Sequence, residues 1–158
     1  MMFVAEGSLV LAARADQLYD YMIDPAHLDL LMGSGLADFE EVQRMPGGGL
    51  AYRCVHRWEK FPIWAQGATT VLVRGQRIVV ESLGGIDMIS SWTFEPEAER
   101  TRVTFTIEVP DTGLLTQKVS PVTVDRQIRA SIDASLAAVS RIAIQLAPLP
   151  LGQLASSS

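Results

Sequence analysis

A chain of 158 residues, 48% hydrophobic and 20% charged, has the length of one domain and enough apolar residues for a substantial core. Its formal charge of −5, with lysines and arginines scattered, excludes the basic footprint that a phosphate backbone requires, so nucleic acid is not an expected partner. No apolar run approaches the ~20 residues of a bilayer span, no basic leader is visible, and the single cysteine, Cys54, allows neither an intrachain disulfide nor a cysteine-rich metal site. The expectation is a cytoplasmic domain with no integral membrane segment, metal or cofactor.

Phe3 to Leu11 alternates with strand periodicity. From Arg14 to Ile23 the period changes, and Leu18, Tyr21 and Met22 mark one face of a helix. Asp24-Pro25 stops that helix and starts another, with Asp24 as cap, Pro25 at the first position and Leu28, Leu31 and Met32 as the apolar face. Gly33-Ser34-Gly35 ends it. Strands follow, each closed by a turn signal: Leu36 to Met45 and then Pro46-Gly47-Gly48-Gly49; Leu50 to Lys60; Ala65 to Arg74; Arg77 to Leu83; Ile86 to Phe94; and Thr101 to Val109. Phe61-Pro62-Ile63-Trp64 reads as an apolar loop between two of them, either a lid or partner contact or a segment tucked under the first helices.

The sheet ends at Pro110-Asp111-Thr112-Gly113, and Leu114 to Ser120 is a linker or an extra helical turn. Ser120-Pro121 then opens a long amphipathic helix to Leu146, with Val124, Ile128, Ile132, Leu136 and Val139 in its stripe. Leu136 should be buried and Ser135 should tolerate alanine. Asp125 and Arg129, spaced i, i+4, should pair on the surface. Residues 1–147 form one domain, and 148–158 read as a flexible tail.

Two stretches resemble the START-like (SRPBCC) superfamily, in its polyketide cyclase/dehydrase and lipid-transport branch. One runs from Ala12 to Leu28 and contains Asp24-Pro25. The other is Trp92-Thr93-Phe94-Glu95-Pro96 leading to Thr101-Arg102-Val103-Thr104-Phe105, with Arg100 where that family often has glycine. The resemblance implies an α+β helix-grip fold: about seven antiparallel strands curved around a long C-terminal helix, two short helices after the first strand, and a cavity between sheet and helix. It implies binding of lipids, sterols, quinones, hormones or polyketides, and in some members cyclisation. It transfers no catalytic residue.

Alternation places Tyr52, Cys54, His56 and Trp58 on one strand face, which should be concave. His56 and Tyr52 are the candidates for proton transfer; a half-buried histidine bonded to a neighbour is the plainer alternative. Cys54 and His56 do not form a nucleophile–base pair, because i and i+2 lie about 6.6 Å apart along a strand. Met88, Ser90 and Trp92 share the next inward face, and Phe105, Val124 and Ile128 supply apolar wall. These ten residues form the candidate ligand site, in a closed or gated pocket of roughly 300–1,000 Å³. Three functions remain open: binding of a hydrophobic or aromatic small molecule, a cyclase or dehydratase using the same cavity, and a protein-interaction module. The sequence leaves the oligomeric state undetermined.

Overall fold

Among the described residues, seven strands, four helices and one 3-10 turn follow in the order the periodicities give. They are β1 (Phe3–Leu11), α1 (Ala15–Met22), the turn Pro25–His27, α2 (Leu28–Met32), β2 (Ala37–Arg44), β3 (Leu50–Trp58), β4 (Phe61–Val73), β5 (Arg77–Leu83), β6 (Met88–Glu97), β7 (Arg100–Val109), α3 (Gly113–Lys118) and α4 (Pro121–Leu146). The computed structural model describes residues 2–59, 61–110 and 113–146; the expected tail lies outside them. None of the helices among these residues is long and apolar enough to cross a membrane.

All strands join one antiparallel sheet in the order β1-β7-β6-β5-β4-β3-β2. Hairpins link β2 through β7 in sequence, while β1 returns to pair with β7. The sheet register lines up the apolar sets of neighbouring strands. Gly7 pairs with Phe105, Phe105 with Trp92, and Trp92 with Ile78. In β7 this face is fully buried at Val103, Phe105, Ile107 and Val109, as period-2 alternation requires.

Helix α4 closes the buried face and lies chiefly along β1. Its N-terminus is capped as expected: Thr123 N donates to Ser120 Oγ at 3.2 Å, and Ser120 Oγ donates to Thr123 Oγ1 at 2.9 Å. The close approach to β1 depends on Gly7. A Cβ there would stand 2.6 Å from Leu136 Cδ1 and 2.9 Å from Ile132 Cγ2, so the helix rests on bare backbone. Arg129 and Asp125 pair on the exposed side at 3.0 Å.

Two sequence expectations need correction. Phe61 to Trp64 is not a loop; it is the start of β4, with Phe61 opposite Trp58 and Pro62 opposite Arg57. The proline fits because Arg57 N donates to Leu36 O, turning Arg57's backbone groups away from β4. The facing Pro62 nitrogen therefore points to the far side, where β5 pairs only from Gln66 onward, and its missing N–H breaks no ladder bond. Ser135 is not a tolerant surface position either. It is fully buried, its hydroxyl donates to Leu30 O at 3.1 Å, and it accepts from Ser34 N at 2.8 Å.

Ser135 belongs to a larger arrangement around α2. A helix leaves its last four carbonyls without helical partners, and a helix of five residues has little else. Here every one of the four is met. Asp29 O accepts from Gly33 N at 3.1 Å, Leu30 O from Ser135 Oγ, Leu31 O from Trp92 Nε1 at 2.8 Å, and Met32 O from Ser90 Oγ at 2.7 Å. Thus β6 and α4 hold this short helix from two sides, and its side chains Leu28, Leu30, Leu31 and Met32 enter the core. Asp24 caps the preceding turn, accepting from Ala26 N at 2.9 Å.

Candidate functional site

Tyr52, Cys54, His56 and Trp58 alternate down β3 and face the sheet's interior. Met88, Ser90 and Trp92 on β6, Phe105 on β7, and Val124 and Ile128 on α4 complete the set expected from sequence. All ten are interior, none more than 5% exposed. Trp92 and Phe105 lie stacked with centroids 3.9 Å apart, while Tyr52 meets Phe39 edge-on at 5.2 Å.

The polar atoms of these residues fall into two groups. Ser90 and Trp92 give their donors to α2, and Tyr52 Oη donates to Glu81 O at 2.9 Å. Tyr52 reaches that carbonyl by passing over Gly67, where a Cβ would come within 2.4 Å of Tyr52 Oη and 2.2 Å of Glu81 O. Gly67→Ala should therefore cost about 1–3 kcal/mol in chemical denaturation, because ring and strand cannot both keep their places. A loss below about 0.5 kcal/mol would contradict this packing.

His56 and Trp58 form the second group. His56 Nε2 lies 3.3 Å from Ser82 Oγ, itself 3.4 Å from Tyr52 Oη and 4.0 Å from Met32 Sδ. Three buried side-chain nitrogen or oxygen atoms among the described residues have no hydrogen-bond partner. They are His56 Nδ1, Trp58 Nε1 and, on α1, Gln17 Oε1. Two of the three therefore sit two residues apart on one strand face.

Burial sets the protonation of the group. It lowers the His56 pKa from its ordinary 6.5 to about 4, so the ring is neutral at neutral pH. Burial also raises the Tyr52 hydroxyl above its usual range and pushes the Cys54 thiol up to about 11, leaving it inert as a nucleophile. Because Tyr52 spends its proton on Glu81 O, the Ser82 proton can go to His56 Nε2, to Tyr52 Oη or toward Met32 Sδ. In the first case His56 Nδ1 is a free donor; in the others Nε2–H donates to Ser82 and Nδ1 is a free acceptor.

The ten residues that periodicity places inward are buried, whereas periodicity does not single out Gly67, reads Ser135 as a tolerant position, and reads Leu31 and Met32 for their apolar side chains and not for their carbonyls. The carbonyls of Leu31 and Met32, the missing side chain of Gly67 and the hydroxyl of Ser135 carry these roles, and no apolar pattern records them. On the opposite face of the sheet, an open groove of about 620 Å³ is lined by Glu41, Arg53, Trp64, Gln66, Glu81 and Leu83. There the Arg53 guanidinium stands 4.5 Å above the half-exposed Trp64 ring.

Comparison with known families and structures fits this architecture. The family profile described as Activator of Hsp90 ATPase homolog 1-like protein matches residues 12–139. The chain is similar to the Zhui aromatase/cyclase from a Streptomyces species, at 16% identity and TM-score 0.63, covering 93% of this chain and 94% of that one. It is similar to norcoclaurine synthase from Thalictrum flavum in complex with dopamine and hydroxybenzaldehyde, at 18% identity and TM-score 0.61, covering 92% and 88%. The di-domain aromatase/cyclase StfQ of the steffimycin biosynthetic pathway aligns at 15% identity and TM-score 0.64, covering 93% of this chain and 51% of that one. At these identities the likeness is one of fold. A search of curated proteins finds no match.

Proposed function

Because the chain belongs to the Activator of Hsp90 ATPase homolog 1-like family, within the START-like superfamily, we propose that it binds a hydrophobic or aromatic small molecule between the sheet and α4. The observation that carries this reading is the composition of the enclosed face. Its walls are Met88, Trp92, Phe105, Val124 and Ile128, its polar groups are few, and no Asp, Glu, Lys or Arg occurs among the buried described residues. An apolar enclosure with a small number of placed polar groups is the ordinary make-up of a small-molecule site. The fold neighbours that handle aromatic molecules, the aromatase/cyclases and norcoclaurine synthase, support the same reading.

A second reading, a cyclase or dehydratase, is favoured by the neutral His56 with one ring nitrogen free, since a neutral imidazole can take a proton. Turnover that depends on His56 separates it from simple binding.

Native mass spectrometry of protein purified without denaturation tests the binding reading. Bound hydrophobic mass that solvent extraction removes, followed by uptake of added 2-naphthol, is the expected result. A ligand-free mass together with no uptake of 2-naphthol or naphthalene would contradict it.

A further inference from the structure

The two partnerless nitrogens on β3 define what the interior would recognise. We infer that Trp58 Nε1 and His56 Nδ1 are the polar end of the interior site, and that they select a neutral aromatic molecule bearing a hydroxyl or carbonyl oxygen. This inference rests on the binding reading above and adds the ligand's chemistry to it.

Three observations carry it. First, both side chains are fully buried, yet their nitrogens lack partners, whereas Ser90, Trp92, Tyr52 and Ser135 around them are bonded to backbone carbonyls. A buried donor left unpaired is costly, so a guest that supplies the missing partner recovers part of that cost on binding. Second, the indole offers only a donor, while His56 Nδ1 offers a donor or an acceptor as Ser82 turns its proton. An oxygen that accepts from Trp58 is thus the fixed requirement, and a hydroxyl or carbonyl meets it with either histidine tautomer. Third, no Asp, Glu, Lys or Arg among the buried described residues could pair with a carboxylate or an ammonium group, and transferring an unpaired ion into such a place is prohibitive. Tryptophan and phenylalanine walls favour a flat ring over an acyl chain.

A matched set of naphthalene probes tests the inference: naphthalene, 2-naphthol, 2-naphthoate and 2-naphthylmethylammonium, each titrated by calorimetry at neutral pH. Wild-type protein should bind 2-naphthol about tenfold more tightly than naphthalene and at least about tenfold more tightly than either ion. In Trp58→Phe the preference for naphthol over naphthalene should fall to within about twofold, with naphthalene itself still bound. His56→Phe gives the same readout from the second nitrogen should Trp58→Phe fail to fold, as judged by circular dichroism. An undiminished naphthol preference in a folded variant would overturn the inference and assign the free nitrogens to an internal water, leaving the binding reading intact. Naphthoate or the ammonium binding as well as naphthol would overturn the neutrality requirement. Failure of all four probes would overturn both the inference and the reading beneath it.

Discussion

Leu136→Ala should lower the unfolding free energy by about 2–5 kcal/mol, through lost transfer energy plus the cavity left behind. Leu136 is 6% exposed and rests directly on Gly7 of β1, so its removal leaves a gap that neither rigid element closes. Ser135→Ala should cost about 1–3 kcal/mol for a different reason: the buried Leu30 O loses its donor and the part-buried Ser34 N its acceptor. Asp133→Ala, on the exposed side, should change stability by less than about 0.5 kcal/mol. Urea denaturation of the three variants checks the order. Equal midpoints for Leu136→Ala and Asp133→Ala would mean that the helical phase of α4 is wrong.

The second large effect is on pH dependence. His56 titrates near 6.5 when unfolded and near 4 when folded. Between those values the unfolded chain binds the extra proton, so stability rises with pH through this window and is lost as pH falls through it. The full difference amounts to roughly 3 kcal/mol by pH 4, and it is absent above about pH 7. His56→Gln removes the titrating group. Its stability should therefore decline less steeply than wild type between pH 6.5 and pH 4, although carboxylates add their own slope to both proteins. Parallel stability curves for wild type and His56→Gln would show that His56 is not held neutral by burial.

What the sequence revealed and what it hid follow from the kind of signal each feature leaves. β7 and α4 were legible because each buries one face against a continuous surface, so their periods of 2 and 3.6 survive in Val103 to Val109 and in Val124 to Val139. Phe61 to Trp64 was illegible as strand because Pro62 and three large apolar residues look like a broken loop; only the sheet shows that β5 does not reach them. Ser135 hid for the opposite reason, since a small polar residue beside an apolar stripe reads as the start of the wet face. Its partners Leu30 and Ser34 lie a hundred residues away in sequence. The ten candidate site residues all came from alternation and helical phase. Sequence did not show which of their polar atoms were already engaged, because the partners of Ser90, Trp92 and Tyr52 are backbone carbonyls of α2 and β5.

The three tryptophans make the central claim directly measurable. Trp58 Nε1 is free in the interior, Trp92 Nε1 is bonded to Leu31 O, and Trp64 lies half-exposed on the outer face beside the open groove. In a nitrogen-15 spectrum each indole N–H gives its own signal, assignable from the Trp58→Phe, Trp64→Phe and Trp92→Phe variants. Titration with 2-naphthol should move the Trp58 signal downfield in a saturable manner as its N–H gains an acceptor, while the Trp64 signal stays in place. A saturable shift of Trp64 with Trp58 unmoved would put the ligand in the outer groove and contradict an interior site.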